Sequence, residues 1–249
     1  MKLQNKIFGI DTREAYERLL REEDSGKNKK PERKPSSSNV SNANIYLILP
    51  GRQHGNYEYP DLLVSTDRSH LGRNWNDAYE ALRQEDSFML NPRQFVDFLS
   101  LLKSGEAYDG NGKRVNREKL GSVLDDIVKV KSPVRAEWLD AKFSSQGTIR
   151  KKWYMGYRDF QGNEIINPLE DCLRSDKVPG IDLNYWLSNA TSQGLPPSNN
   201  TDGGLYYWHP RDGAVVRFGA GSDWVFLNCS GDPDFSDSAL GVRRAKIKV

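Results

Sequence analysis

Three histidines and two cysteines stand among the 249 residues. These are the side chains most often recruited as proton carriers, nucleophiles or metal ligands. His54, His70 and His209 show no helical metal spacing and have no cysteine beside them, which predicts surface or hydrogen-bonded residues rather than ligands. Cys172 and Cys229 are far apart in the chain and make neither a disulfide framework nor a zinc knuckle. Asp109-Gly110-Asn111-Gly112-Lys113 resembles a phosphate cradle, but a P-loop needs glycine where Ala107 stands and Ser or Thr where Arg114 stands. The segment also departs from a calcium loop, with Arg114 and Val115 at liganding spacings. Asp-Gly and Asn-Gly predict a tight turn there. No G-x-S-x-G elbow occurs. The densest carboxylates are Asp232, Asp234 and Asp237 in CSGDPDFSDS. Hard oxygen ligands so close together could hold calcium, and with Pro233 and the serines they equally make an Asx-rich turn. No set of acid, base and nucleophile emerges. The expectation is a non-enzymatic protein with no catalytic residue, no cofactor and no assigned metal site, calcium at the three aspartates being left open.

Composition narrows the partners. Lys+Arg number 36 and Asp+Glu 34, a formal net charge of +2, so no charge excess points to nucleic acid or an anionic membrane. The hydrophobic share is 37%, with 6 Trp, 11 Tyr and 9 Phe, too aromatic for a disordered chain. No apolar run approaches the roughly 20 residues of a membrane helix. The opening MKLQNKIFGIDTRE has no long apolar stretch followed by a small-residue cleavage site, so no signal peptide is expected and the default location is cytoplasmic.

The elements that position any site follow from period and punctuation. Residues 11–23 predict a short amphipathic helix, capped by Asp11 with Glu14 in the capping-box position and Tyr16, Leu19 and Leu20 on one face. Arg21 to Asn44 has Val40 as its one large apolar residue and predicts a flexible charged linker. Residues 1–44 are thus set apart from a main domain over 45–249. Ile45–Leu49, ended by Pro50-Gly51, predicts a buried strand. Helices are predicted over 74–85 (Trp75, Ala78, Tyr79, Leu82), after Asn91-Pro92 (Phe95, Phe98, Leu99, Leu102, stopped at Gly105), and after Asn116 (Leu120, Val123, Leu124, Ile127). From Glu137 to Ile166 aromatics among turn residues predict strands and hairpins. After Pro179 little helical period remains. Helices first and short strands later make an α+β chain.

The segment 215–243, VVRFGAGSDWVFLNCSGDPDFSDSALGVR, divides into two alternating sets, and alternate strand residues point to opposite faces. Phe218, Ala220 and Ser222, continued after a slip at Asp223-Trp224 by Val225, Leu227 and Cys229, suit a packed interior. Gly219, Gly221 and Asp223, continued by Phe226, Asn228 and Ser230, share no chemistry and carry an aromatic outward. Exposed aromatics suit binding; a half-solvated strand with stray aromatics fits the period equally.

The run YYWHPRDGAVVRFGAGSDWVFLNCSGDPDFSDSALGVRRAK resembles the C-terminal variable region of diversity-generating retroelement variable proteins, closest to the archaeal type. Its pattern is Arg-Phe-x-Ala-x-Ser, then Leu-x-Cys, then Asp-Pro, Ser and a closing Ala-Leu-Gly-Val-Arg. The stretches PGIDLNYWLSNATSQGLPP and WYMGYRD are similar to that group too. The likeness covers about residues 137–249, more weakly back to 45, with the variable region at about 206–245.

In that family a reverse transcriptase copies a template repeat with errors at adenines and rewrites the end of the gene. The resemblance implies a C-type lectin fold of the formylglycine-generating-enzyme-like branch, displaying varied side chains on a rigid scaffold. It places diversified, ligand-binding positions at Gly219, Gly221, Asp223, Phe226, Asn228, Ser230, Gly231, Asp234, Phe235 and Asp237, each reachable from an AAY codon by changing adenines. Trp224 is not reachable that way, so it joins the binding face as a residue that is templated differently or fixed. Arg217, Phe218, Ala220, Ser222, Leu227, Cys229, Pro233, Ser236, Leu240, Gly241, Val242 and Arg243 would be scaffold. The partner implied is a macromolecule, a protein first, whose identity sampled positions do not reveal. Trp75-Asn76-Asp77 matches a motif of sugar-binding lectins but opens a helix early in the chain, so Trp75 is read as core and no sugar binding is implied. Two other readings stay beside this one: an oxidase related to formylglycine-generating enzymes, which would use a cysteine such as Cys229, and a structural module of a larger assembly.

Overall fold

Three asparagines open the three long helices, and each does so in the same way. The side chain of Asn74 accepts from the Asp77 N–H (2.8 Å), that of Asn91 from the Gln94 N–H (3.0 Å), and that of Asn116 from the Lys119 N–H (2.8 Å). Each bond satisfies one of the donors a helix leaves orphaned at its start. At Asn91 the bond is reciprocated, since Gln94 Oε1 accepts from the Asn91 N–H (3.0 Å), and Pro92 follows at the first helical position. The helices are α1 (Trp75–Gln84), α2 (Pro92–Ser104) and α3 (Arg117–Val128). Gly105 ends α2 at φ 72°, a left-handed conformation that suits glycine.

The computed structural model describes residues 43–148 and 151–249, together with the backbone of a small ribbon in which Lys6–Ile7 (β1) pairs with Ile10–Asp11 (β2). Apart from residues 11, 43 and 44, the expected helix over 11–23 and the linker over 21–44 lie outside the described residues. Ala43–Ile45 forms a 3-10 turn, so the first long strand begins at Tyr46 rather than Ile45.

The remaining strands are β3 (Tyr46–Leu49), β4 (Arg52–His54), β5 (Tyr57–Tyr59), β6 (Leu62–Ser69), β7 (Phe88–Met89), β8 (Arg135–Gln146), β9 (Lys152–Arg158), β10 (Glu164–Pro168), β11 (Lys177–Ile181), β12 (Leu205–Trp208), β13 (Val215–Ala220), β14 (Val225–Gly231) and β15 (Leu240–Ile247). β4 and β5 form a separate hairpin, and the others make one large mixed sheet in the order β11-β12-β14-β13-β8-β15-β6-β3. β9 pairs with the second half of β8 and carries β10, while β7 pairs with β15. The β12–β14 and β8–β15 pairs are parallel; the other pairs of the sheet are antiparallel.

Both faces of this sheet are covered, unequally. On one face Phe95, Phe98 and Leu99 of α2 and Leu120, Val123 and Ile127 of α3 join Val216, Phe218, Leu227 and Cys229 in the larger core. Each such buried side chain contributes about 1.5–3 kcal/mol by leaving water. On the other face Trp75, Ala78, Tyr79 and Leu82 of α1 cover Ala136, Trp138, Val215, Leu240 and Val242. The buried indoles keep a partner: Trp75 Nε1 donates to Leu139 O (3.0 Å) and Trp138 Nε1 to Arg73 O (3.1 Å).

A fourth helix, α4 (Leu183–Asn189), lies where no helical period was read. It spans seven residues and buries only Trp186, too little for a periodic stripe, and Asp182 caps it by accepting from the Tyr185 N–H (2.6 Å). The fold is α+β, with four helices among the described residues. No helix among them is long and apolar enough to cross a membrane.

Candidate functional site

The face beside α1 runs past the helix onto β12, β14 and β13, and there it lies open. The register sets its rows. Tyr206, Phe226 and Gly219 stand side by side across the three strands, and the next row is Trp208, Asn228 and Arg217. Between them Leu205, Tyr207, Leu227 and Cys229 point to the opposite face and are buried. The alternation in the sequence is therefore the alternation of β14 itself.

The open face carries a continuous set of aromatic rings. Trp224 stacks on Tyr206 (centroids 5.8 Å apart, interplanar angle 10°). Tyr206 touches Trp208 at 6.3 Å, and Trp208 meets Phe226 edge-on at 6.2 Å and 80°. The Arg217 guanidinium then bridges to Phe235, lying 5.9 Å from the Phe226 centroid and 4.8 Å from that of Phe235. Trp224 and Phe235 are 43% and 41% exposed, while Tyr206, Trp208 and Phe226 are half-buried. Partial burial lowers the Arg217 pKa and the Asp237 charge opposes that shift. A guanidinium held between two rings gains from both quadrupoles.

Polar groups rim this set. Ser222 and Asp223 form the exposed tip of the β13–β14 hairpin, where Ser222 Oγ donates to Asp223 Oδ2 (2.6 Å) and the Gly221 N–H donates to Trp224 O (2.9 Å). The slip read at Asp223-Trp224 is this turn, and it turns Ser222 outward instead of into the interior. Asn228 Oδ1 accepts from the Ser230 N–H (2.7 Å) and hydroxyl (2.9 Å). Asp232 Oδ1 accepts from the Asp234 N–H (2.9 Å), and Asp237 Oδ1 from the Ala239 N–H (2.7 Å). The aspartate segment is thus built of Asx turns, and no cluster of three His, Cys, Asp or Glu side chains suited to a metal occurs among the described residues.

Of the residues singled out from sequence, Trp224, Phe226, Asn228, Ser230, Phe235 and Asp237 surround this face, with Asp223 at the hairpin tip and Asp234 in the following loop. Gly219, Gly221 and Gly231 are all three buried. Gly219 lies beneath the Phe226 ring, and a Cβ at Gly231 would come within 2.9 Å of Val215 O. Tyr206 and Trp208 belong to the face and were not singled out, and Arg217, assigned to the scaffold, lies on it as well. The signal was present in Leu205-Tyr206-Tyr207-Trp208, whose alternate residues face out, but stacking across a parallel strand pair is not a local pattern.

The residues first suspected of chemistry are occupied elsewhere. His54 Nε2 lies 2.7 Å from Asp97 Oδ2 and His209 Nδ1 2.6 Å from Asp176 Oδ1, while His70 Nε2 is buried 3.3 Å from Glu85 Oε1 without making a hydrogen bond. Cys172 and Cys229 are buried free thiols, and desolvation raises both, Cys172 to about 11. Both therefore stay protonated at neutral pH. Asp109 Oδ1 accepts from the Asn111 and Lys113 N–H groups (2.9 and 3.0 Å), closing the turn read there. No protein-family model, curated protein or solved structure matches the chain.

Proposed function

We propose that this chain is a non-enzymatic recognition protein of C-type lectin type, in the formylglycine-generating-enzyme-like branch, which binds a macromolecular partner, a protein, through the open face of β12, β13 and β14. On this reading the varied positions of 219–237 are rewritten by adenine mutagenesis from a template repeat. One observation carries the proposal: Tyr206, Trp208 and Phe226 lie on one open sheet face, fixed by strands hydrogen-bonded on both sides, with Trp224 of the β13–β14 turn stacked on Tyr206 and Phe235 of the loop after β14 joined through Arg217. Contiguous exposed aromatics rimmed by polar side chains mark interaction surfaces, and rigid aromatic anchors among Ser, Asn and Asp are the chemistry of adaptable paratopes. The same strands turn Leu227 and Cys229 into the core, which separates what binds from what folds.

The test is the DNA around the gene. The expected result is a near-identical repeat of the 215–243 coding segment, differing where the repeat carries adenine, beside a reverse-transcriptase gene. An intact locus with neither overturns the retroelement reading.

A further inference from the structure

Away from the aromatic face, one hairpin stands apart from the sheet that carries it. β3 and β6 pair as far as Leu49 and Leu62, and pairing resumes only at Arg52 and Tyr59, as β4 and β5. Pro50-Gly51 and Pro60-Asp61 form the neck between the two ladders. A proline has no N–H to give, so the ladder cannot run through this neck. A side chain closes it instead, the Gly51 N–H donating to Asp61 Oδ1 (2.8 Å). Among the described residues no backbone hydrogen bond joins 52–59 to another element.

What holds the hairpin down is helix α2. At the neck end Tyr59 donates its O–H to Asp97 Oδ2 (2.6 Å) and Arg52 Nη1 donates to Asp97 Oδ1 (3.4 Å). The Tyr59 ring is buried in the larger core, so this end is anchored. The tip is fastened more lightly. His54 Nε2 lies 2.7 Å from Asp97 Oδ2, and Asn91, the cap of α2, donates from Nδ2 to the Tyr57 hydroxyl (2.7 Å). The Tyr57 ring rests edge-on against Tyr157 at 5.7 Å. Asp97 is also held from within its own helix, by Arg93 Nη2 one turn earlier (2.9 Å). When the tip lifts, Asp97 keeps Arg93, Arg52 and Tyr59, so no buried charge is abandoned. His54 and Tyr57 exchange their partners for water, at a small net cost.

Beneath the tip lies a cavity of about 220 Å³. Asn56 and Tyr57 of the hairpin line it, facing Asn91, Met155, Tyr157 and Glu170. We propose that the β4–β5 hairpin is a flap, hinged at Pro50-Gly51 and Pro60-Asp61 and latched on α2 by His54–Asp97 and Tyr57–Asn91, whose lifting opens this cavity. The flap is independent of the aromatic face and does not rest on the recognition reading.

Hydrogen exchange and methionine oxidation of the full chain test it. His54→Ala/Tyr57→Phe removes both tip fastenings, keeps the Tyr57 ring and leaves Arg93, Arg52 and Tyr59 on Asp97; Tyr57→Phe alone serves if the double variant does not fold. The protected amides of 52–59 are expected to exchange about tenfold faster in the variant, with β3 and β6 unchanged. Two buried methionines read the cavity: Met155 lines it, whereas Met89 belongs to the core beneath α1. Oxidation of Met155 by hydrogen peroxide is expected to quicken about tenfold in the variant, with Met89 unchanged. An equal rise across the hairpin, β3 and β6 overturns the flap, because the hairpin then opens only with the whole domain. Unchanged exchange in 52–59 overturns the latch, and faster exchange there with unchanged Met155 oxidation overturns the opening of the cavity.

Discussion

Gly219 and Phe226 face each other across β13 and β14, and a Cβ built on Gly219 would come within 2.5 Å of the Phe226 ring and 2.9 Å of Ala136 Cβ. Glycine at 219 is what lets the phenyl lie down on the sheet. Gly219→Ala is expected to destabilise by about 1–3 kcal/mol through overpacking. Part of that loss should return in Gly219→Ala/Phe226→Ser, where the ring is gone. A double-mutant cycle from urea unfolding reads the coupling; additive losses would mean that Ala136 alone sets the limit.

Truncating the two most exposed rings of the aromatic face, Trp224→Ser with Phe235→Ser, should cost little stability, within about 1 kcal/mol, because partly hydrated groups have less burial to lose. Leu227→Ala, on the opposite face of the same strand, should cost about 2–5 kcal/mol by leaving a cavity. Chemical unfolding of the variants compares the two. A larger loss from the aromatic pair than from Leu227 would contradict the assigned faces.

Arg243 and Glu137 form a buried bidentate pair, Nε to Oε2 at 3.0 Å and Nη2 to Oε1 at 3.1 Å, while Arg243 Nη1 also donates to Ser65 O and Thr66 O. Glu137→Leu strands a buried cation and is expected to cost about 3–5 kcal/mol. The joint change Glu137→Leu/Arg243→Met should cost less than Glu137→Leu alone, since no charge is left unpaired. Thermal and urea unfolding decide it; a double variant worse than the single one would show that the backbone bonds of Arg243 outweigh its ion pair.

Glu164 sits opposite Arg158 on β9–β10, and neither of its carboxyl oxygens has a hydrogen-bond partner among the described residues. Desolvation raises its pKa from 4.5 to about 7 against the pull of Arg158 and Lys142. Desolvation likewise raises the buried Asp140 from 3.8 to about 6, opposed by Arg158. A raised acid pKa means that the folded chain holds the proton longer than the unfolded chain. Stability therefore falls as pH rises through about 4.5–7 for Glu164 and 3.8–6 for Asp140. Glu164→Gln should flatten the upper part of that decline and be more stable than the parent at pH 8. Urea midpoints across the range check it, and a parent midpoint that rises steadily from pH 5 to 8 would refute it.

What the sequence disclosed depended on how local the cause was. Helices α1 to α3 were legible because Asn74, Asn91 and Asn116 announce them and their apolar stripes run two turns or more. The inward set of β14 was legible from a period of two. Helix α4 was not, because one buried Trp186 makes no period. The Arg243–Glu137 pair was not, because its partners are 106 residues apart and nothing local distinguishes a buried arginine from an exposed one. Within the aromatic face, Phe226 followed from alternation, whereas Tyr206 and Trp208 join it only through the parallel β12–β14 pairing. The burial of Gly219, Gly221 and Gly231 was not legible for a related reason: a residue without a side chain takes its exposure from its neighbour.

Strand β15 is hydrogen-bonded to β8 and β7 on one side and to β6 on the other. The ribosome delivers residues 240–247 after every strand they join, so the two halves of the sheet are joined only once these last residues are made. A chain ending before residue 240 lacks this seam and leaves Trp138, Val64 and Met89 without the strand they pair with.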